Sequence, residues 1–129
     1  MVKKSKSQTS GAVSTQNQLV IVDTDFPGFL EDLEKLESFE LDAVQATIDK
    51  IERMTWNDIY KTSSKTSGSK RGINYEPLEQ WTAKGCRIAS IRVTGKFRAR
   101  VCRDGTFMRF ISLHPDHNSA YKQDGGEKI

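Results

Sequence analysis

Both histidines of the chain, His114 and His117, stand three positions apart in the run His114-Pro115-Asp116-His117-Asn118-Ser119-Ala120-Tyr121. Imidazole titrates near neutral pH, so either ring could take up a proton or give one away. RNA cleavage by transesterification needs both acts, because a base must remove the 2′-hydroxyl proton and an acid must protonate the departing 5′-oxygen. Asp116 could orient one imidazole, and Tyr121 could donate a proton or stack on a base. A plainer reading stands beside this one: Pro115 ends a strand and the two histidines cap a turn. The spacing also resembles part of a metal site, but no further Cys, His or carboxylate cluster completes a ligand set. No metal or cofactor is therefore expected, and no P-loop, Gly-rich dinucleotide turn or GxSxG elbow occurs.

The second set of chemistry-bearing residues is basic. Arg92, Lys96, Arg98, Arg100 and Arg109 fall on, or at the turns of, three successive segments with strand-like alternation. Guanidinium groups fixed on one sheet face present donors to successive phosphates and stay charged at any working pH. They can also stabilise a pentacovalent phosphorus transition state. Arg92 and Arg98 share an alternation phase, which predicts that they meet on one face.

The charge pattern agrees with this division. Residues 20–60 carry eleven acids and three basic residues, whereas residues 61–109 carry twelve basic residues and three acids. A formal net charge of +3 thus hides an acidic half joined to a strongly basic one. That asymmetry points to a polyanion-binding face, or, more simply, to two solvated surfaces of opposite sign. Within the basic half, residues 61–72 read as a polar, flexible loop. It is either an exposed linker or an arm whose Lys61, Lys65, Lys70 and Arg71 contact phosphates without reading sequence.

The elements that must position these residues follow from periodicity. Leu19–Val22 is a short β-prone run. A helix opens at Phe26-Pro27-Gly28, with Asp25 as its expected N-cap, and carries Phe29, Leu30, Leu33 and Leu36 at helical spacing. After a break at Glu37–Glu40, Leu41, Val44, Ile48 and Ile51 mark a second helix, expected to run on toward Trp56 and Ile59. Ile73–Leu78 reads as a short irregular segment. From Arg87 the period is two, with Ala89, Ile91 and Val93 facing away from Ile88, Ser90 and Arg92. Likewise Phe97, Ala99 and Val101 face away from Arg98, Arg100 and Cys102. Asp104-Gly105 marks a hairpin turn, and Thr106–Leu113 is apolar on both faces, as a doubly covered strand would be. The expected fold class is α+β: an N-terminal strand and two helices packed on a twisted, mainly antiparallel sheet with C-terminal β-hairpins.

With 129 residues there is room for one domain. Residues 1–18 are too polar to offset their ordering entropy and read as a disordered tail, leaving residues 19–129 as the domain. No apolar h-region follows Lys3, Lys4 and Lys6, and no run approaches a membrane span, so a cytoplasmic protein is expected. Cys86 and Cys102 fit neither a zinc spacing nor a disulfide framework and are expected as two reduced thiols in or near the core.

The run IRVTGKFRARVCRDGTFMRFISLHPDHNSAY (Ile91–Tyr121), preceded by a strand, two helices and a basic loop, resembles toxins of the RelE/ParE superfamily. The resemblance is spread over residues 19–121 in element order, and its specific part is the last thirty or so residues. It implies a RelE-like domain, mRNA cleavage by metal-independent acid–base chemistry on the ribosome, and neutralisation by a cognate antitoxin. By the same resemblance Arg92 and Arg98 match strand arginines that hold the scissile phosphate. His114 occupies a strand-end position where members carry His, Arg or Lys, and Tyr121 matches a C-terminal aromatic. His117 and Asp116 resemble a variant in which histidines and a carboxylate transfer protons. The Lys61–Arg71 loop, the Tyr75–Lys84 stretch and the polar tail depart from a minimal member. The superfamily also includes gyrase inhibitors on the same fold. A gyrase-directed toxin and a non-catalytic RNA- or antitoxin-binding module are the alternative functions.

Overall fold

A computed structural model describes residues 14–63 and 72–115. Three helices and a five-stranded mixed sheet make an α+β fold. The strands are β1 (Ile21–Asp23), β2 (Glu76–Trp81), β3 (Arg87–Thr94), β4 (Phe97–Asp104) and β5 (Phe107–His114); the helices are α1 (Pro27–Glu34), α2 (Ser38–Ile51) and α3 (Trp56–Lys61). The sheet order is β1-β5-β4-β3-β2, with β1 parallel to β5 and the other three pairings antiparallel. Among the described residues no helix is long and apolar enough to cross a membrane.

Two of these helices, α2 and α3, begin where side chains satisfy their free amides, and α1 begins at a proline. Pro27 occupies the first turn of α1 as expected, but Phe26, not Asp25, is the N-cap. The Asp25 amide instead donates to the Asp23 carboxylate at 3.0 Å, a local turn that competes with capping. The expected break at 37–40 is a helix start: Glu37 and Glu40 form a reciprocal capping box at the head of α2. The second helix does not run on to Ile59. It stops at Ile51, and Thr55 with Asp58 builds another capping box that starts α3. Thr-x-x-Asp thus divides one apolar stripe into two helices.

The core lies between these helices and one face of the sheet. Phe29, Val44, Ile51, Trp56 and Ile59 pack against Ala89, Ile91, Ala99, Val101, Met108 and Phe110. Phe29 and Phe110 meet edge to face at 5.4 Å between centroids, a geometry worth about 0.5–1.5 kcal/mol beyond area burial. Leu30 and Leu41, expected on core stripes, are exposed. Both line an open groove beside Leu33, Val44 and Ile48.

Two features bear on the expected boundaries. Thr15–Asn17 forms one 3-10 turn capped by Ser14, and the Arg103 guanidinium donates to Thr15 Oγ1 at 2.9 Å, so part of the expected tail is fastened to the domain. Residues 1–13 and 64–71, which hold most of the expected tail and basic loop, lie outside the described residues. The Ile73–Leu78 segment, expected to be irregular, runs from Glu76 into the edge strand β2 (Glu76–Trp81). Pro77 removes a ladder donor, which an edge strand tolerates, and Glu76 and Glu79 discourage further strand pairing.

Candidate functional site

Alternation sends every second residue of β3 and β4 to the face away from the helices, and register decides which of them meet. Arg92 stands opposite Arg98, and Arg98 opposite His114, so these three form one row across β3, β4 and β5. The next row holds Ser90, Arg100 and Ser112, and a third holds Ile88, Cys102 and Arg109. The two arginine-bearing strands were readable from alternation. The strand-end position of His114 beside the basic face was also readable, but the bulge that sets it opposite Arg98 was not.

A bulge puts His114 there. Met108 and Phe110 are core residues, and strict alternation would send Ser112 and His114 into the core after them. The ladder instead pairs Val101 with Phe110 and Arg100 with Ser112, leaving Ile111 as an extra residue on β5. The phase therefore inverts: Leu113 enters the core and His114 joins the arginine face. The edge beyond this point is closed by α1, because the Leu113 amide donates to Asp32 Oδ2 at 2.9 Å where β1 no longer reaches. Gly28 allows that approach, since a Cβ there would come within 3.3 Å of the Ile111 carbonyl oxygen.

Local bonds orient the side chains. Arg98 Nη1 donates to the Gly95 carbonyl at 2.6 Å, tying the guanidinium to the β3–β4 turn. Lys96, the second loop residue of that turn, is exposed beside it. Arg100 reaches across the face to Gln80 Oε1 at 3.3 Å. His114 Nε2 and Ser112 Oγ lie 3.0 Å apart. Burial first, and then the Arg92 guanidinium, hold the Lys50 ammonium below its ordinary pKa.

Arg109 has a different role from its neighbours. Its Nε donates to Asp23 Oδ2 at 3.0 Å and its Nη2 to Asp104 Oδ2 at 3.4 Å. The Asp23 carboxyl lies below the usual aspartate range, chiefly through the Asp25 amide and then through the Arg109 hydrogen bond. Expected as a phosphate contact, Arg109 is committed to a carboxylate pair that joins β1 to β5. It also lines a cleft of about 860 Å³ at the far end of the same face, with Ile88, Ile111, Phe26 and Lys84.

Of the expected site residues, Arg92, Arg98, Arg100, Lys96 and His114 are thus gathered at one end of the face, and Arg109 is set apart. Asp116, His117, Tyr121, Lys70 and Arg71 lie outside the described residues. Among the described residues, no group of three or more His, Cys, Asp or Glu side chains could hold a metal ion. Asp23 and Asp32, which position the site, were not singled out. Their partners lie 86 and 81 positions away, a separation that carries no local signal. No family model, curated protein or solved structure matches this chain.

Proposed function

We propose that the helix-free face binds an RNA backbone, and that the chain is a metal-independent endoribonuclease, a toxin of the RelE/ParE kind held in check by an antitoxin. The observation that carries the reading is the directly opposed pair Arg92 and Arg98. Like charges at opposed positions on neighbouring strands are destabilising, and an anion seated between them removes that penalty. A phosphodiester fits the pair, with Arg100 and Lys96 able to meet the adjoining phosphates. RNA, unlike DNA, places a 2′-hydroxyl beside the phosphorus, where an acid–base group can use it.

In this reading Arg98 and Arg92 hold the scissile phosphate and stabilise the negative charge that builds on its oxygens. His114, opposite Arg98, takes one of the two proton-transfer roles. The 2′-oxygen, freed of its proton, attacks phosphorus and expels the 5′-oxygen, which is protonated as it leaves. The products are a 2′,3′-cyclic phosphate and a 5′-hydroxyl end. The second proton-transfer role falls to His117, Asp116 or Tyr121.

Induced expression in a bacterial host, with primer extension on cellular mRNA, tests the proposal. Wild type should arrest growth and leave discrete cuts, and Arg98→Ala and His114→Ala should abolish both. Arrest that survives both substitutions without cuts would overturn the nuclease and favour a gyrase-type target. One observation favours a second, non-catalytic reading: among the described residues the arginine row contains a single imidazole, His114. A binding module would hold single-stranded RNA with a steep salt dependence and release it uncut.

A further inference from the structure

We infer that Cys86 and Cys102 form a thiol–disulfide modification site on the helix-free face, closed by reaction with a low-molecular-weight disulfide. This inference does not depend on the nuclease reading. Sixteen positions separate the two cysteines in the chain, but the β3–β4 hairpin returns them to one place. Cys102 stands opposite Ile88, and Cys86 lies two residues before Ile88. The two side chains therefore stand as diagonal neighbours on one face of the hairpin. The Cys86 thiol in turn donates to the Arg103 carbonyl at 3.1 Å, so it points at β4 rather than away from it.

The two sulfurs differ in access, which sets the order of events. Cys86 is half-buried and lines the 860 Å³ cleft, whereas Cys102 is fully buried. Burial first, and then the Cys86 thiol, push the Cys102 thiol up to about 12. Thiolate is the nucleophile in exchange, so Cys102 does not react with solutes directly. Cys86 thiolate attacks one sulfur of the small disulfide, forming a mixed disulfide and expelling one thiolate. The Cys102 sulfur then attacks the Cys86 sulfur and expels the second small thiolate, which takes up the proton that Cys102 gives up. Two protein thiols are oxidised to one disulfide, and one small disulfide is reduced to two thiols.

Closure takes a small backbone shift. Diagonal neighbours in an antiparallel pair have Cα atoms roughly 7–8 Å apart, just beyond the usual disulfide span of roughly 4.4–6.8 Å. Cys86 precedes β3, next to Gly85 at φ +87°, so the shift falls on the Thr82–Cys86 turn, where the Thr82 amide donates to the Cys86 carbonyl at 2.8 Å. The cross-link would fasten that turn to the strand beneath Arg109, in the floor of the cleft.

The full chain, native and reduced, is incubated with glutathione disulfide, and free thiols, intact mass and the linked peptides are measured. Wild type should lose both thiols and two hydrogen atoms, with Cys86 joined to Cys102. Cys102→Ala should stop at a stable glutathione adduct on Cys86, and Cys86→Ala should leave Cys102 unmodified under native conditions. The inference is overturned if wild type keeps both thiols, stops at the Cys86 adduct, or cross-links only in denaturant. A Cys86→Ala protein whose Cys102 reacts as fast as wild type would also overturn the order of events.

Discussion

The two faces of the central strands are built from alternate residues of the same segments, yet they follow opposite rules. Toward the helices stand Ala89, Ile91, Ala99, Val101, Met108 and Phe110, each at most 1% exposed. Away from them stand Arg92, Arg98, Arg100 and Arg109, none of them fully buried. On the first face every neighbour is complementary, and the gain comes from removing apolar area from water. On the second, like charges oppose each other between β3 and β4, and among the described residues only Arg109 of these four arginines has carboxylates to answer it. The helix-covered face therefore holds the buried apolar core, whereas the other face sets like charges against each other at Arg92 and Arg98. Substitutions on the two faces should separate stability from binding.

The largest effect on stability belongs to the helix-covered face. Phe110→Ala removes a fully buried ring and its edge contact with Phe29. Denaturant unfolding should show a loss of about 3–5 kcal/mol, the usual range for Phe→Ala in a core. A loss below about 1 kcal/mol would mean that the sheet and helices do not share the core described above.

A smaller effect belongs to the one answered charge on the other face. Asp23→Asn leaves Arg109 with Asp104 alone and should cost about 1 kcal/mol at neutral pH, as partly exposed ion pairs do. The pH dependence has a definite sign. The folded-state pKa of Asp23 is lowered from 3.8, so its contribution is complete above that value and is lost as pH falls through the lower folded-state pKa. The gap between wild type and Asp23→Asn should therefore be constant from neutral pH down to about 5 and close below about 4. A gap that persists unchanged in acid would show that the asparagine perturbs packing rather than charge.

How far the sequence could foretell this arrangement depended on whether the signal was local. Alternation in Arg87–Val93 and Phe97–Cys102 identified two strands and assigned each side chain to its face, because period two is a property of adjacent residues. The capping boxes at Glu37–Glu40 and Thr55–Asp58 were equally local, but the apolar stripe running through Trp56 and Ile59 outweighed the second one. Pro77 hid the edge strand β2, since proline argues against a strand everywhere except at an edge. The bulge at Ile111 left only one trace, the apolar pair Phe110-Ile111 followed by Ser112, which reads equally well as a strand covered on both sides. That single extra residue decides whether His114 faces the core or the arginines. The Arg109–Asp23 and Leu113–Asp32 contacts join distant segments, and no local pattern encodes them.

The smallest expected change in stability is the most discriminating test of the comparison. Arg98→Thr replaces one member of the opposed arginine pair by a β-branched residue suited to a strand. It removes a hydrogen bond to the Gly95 carbonyl but also removes like-charge repulsion across the β3–β4 ladder. Cross-strand terms of this kind are roughly 0.2–1 kcal/mol. Unfolding should therefore show no loss, or a gain of a few tenths of a kcal/mol that shrinks as added salt screens the pair in wild type. The same substitution should weaken single-stranded RNA binding and lower the slope of log affinity against log salt by about 0.7, the share of one single-strand phosphate. Retained stability with a reduced slope is the signature of a residue kept for an anion. A loss of several kcal/mol would instead place Arg98 among the residues that hold the sheet together, and the distinction between the two faces would fail.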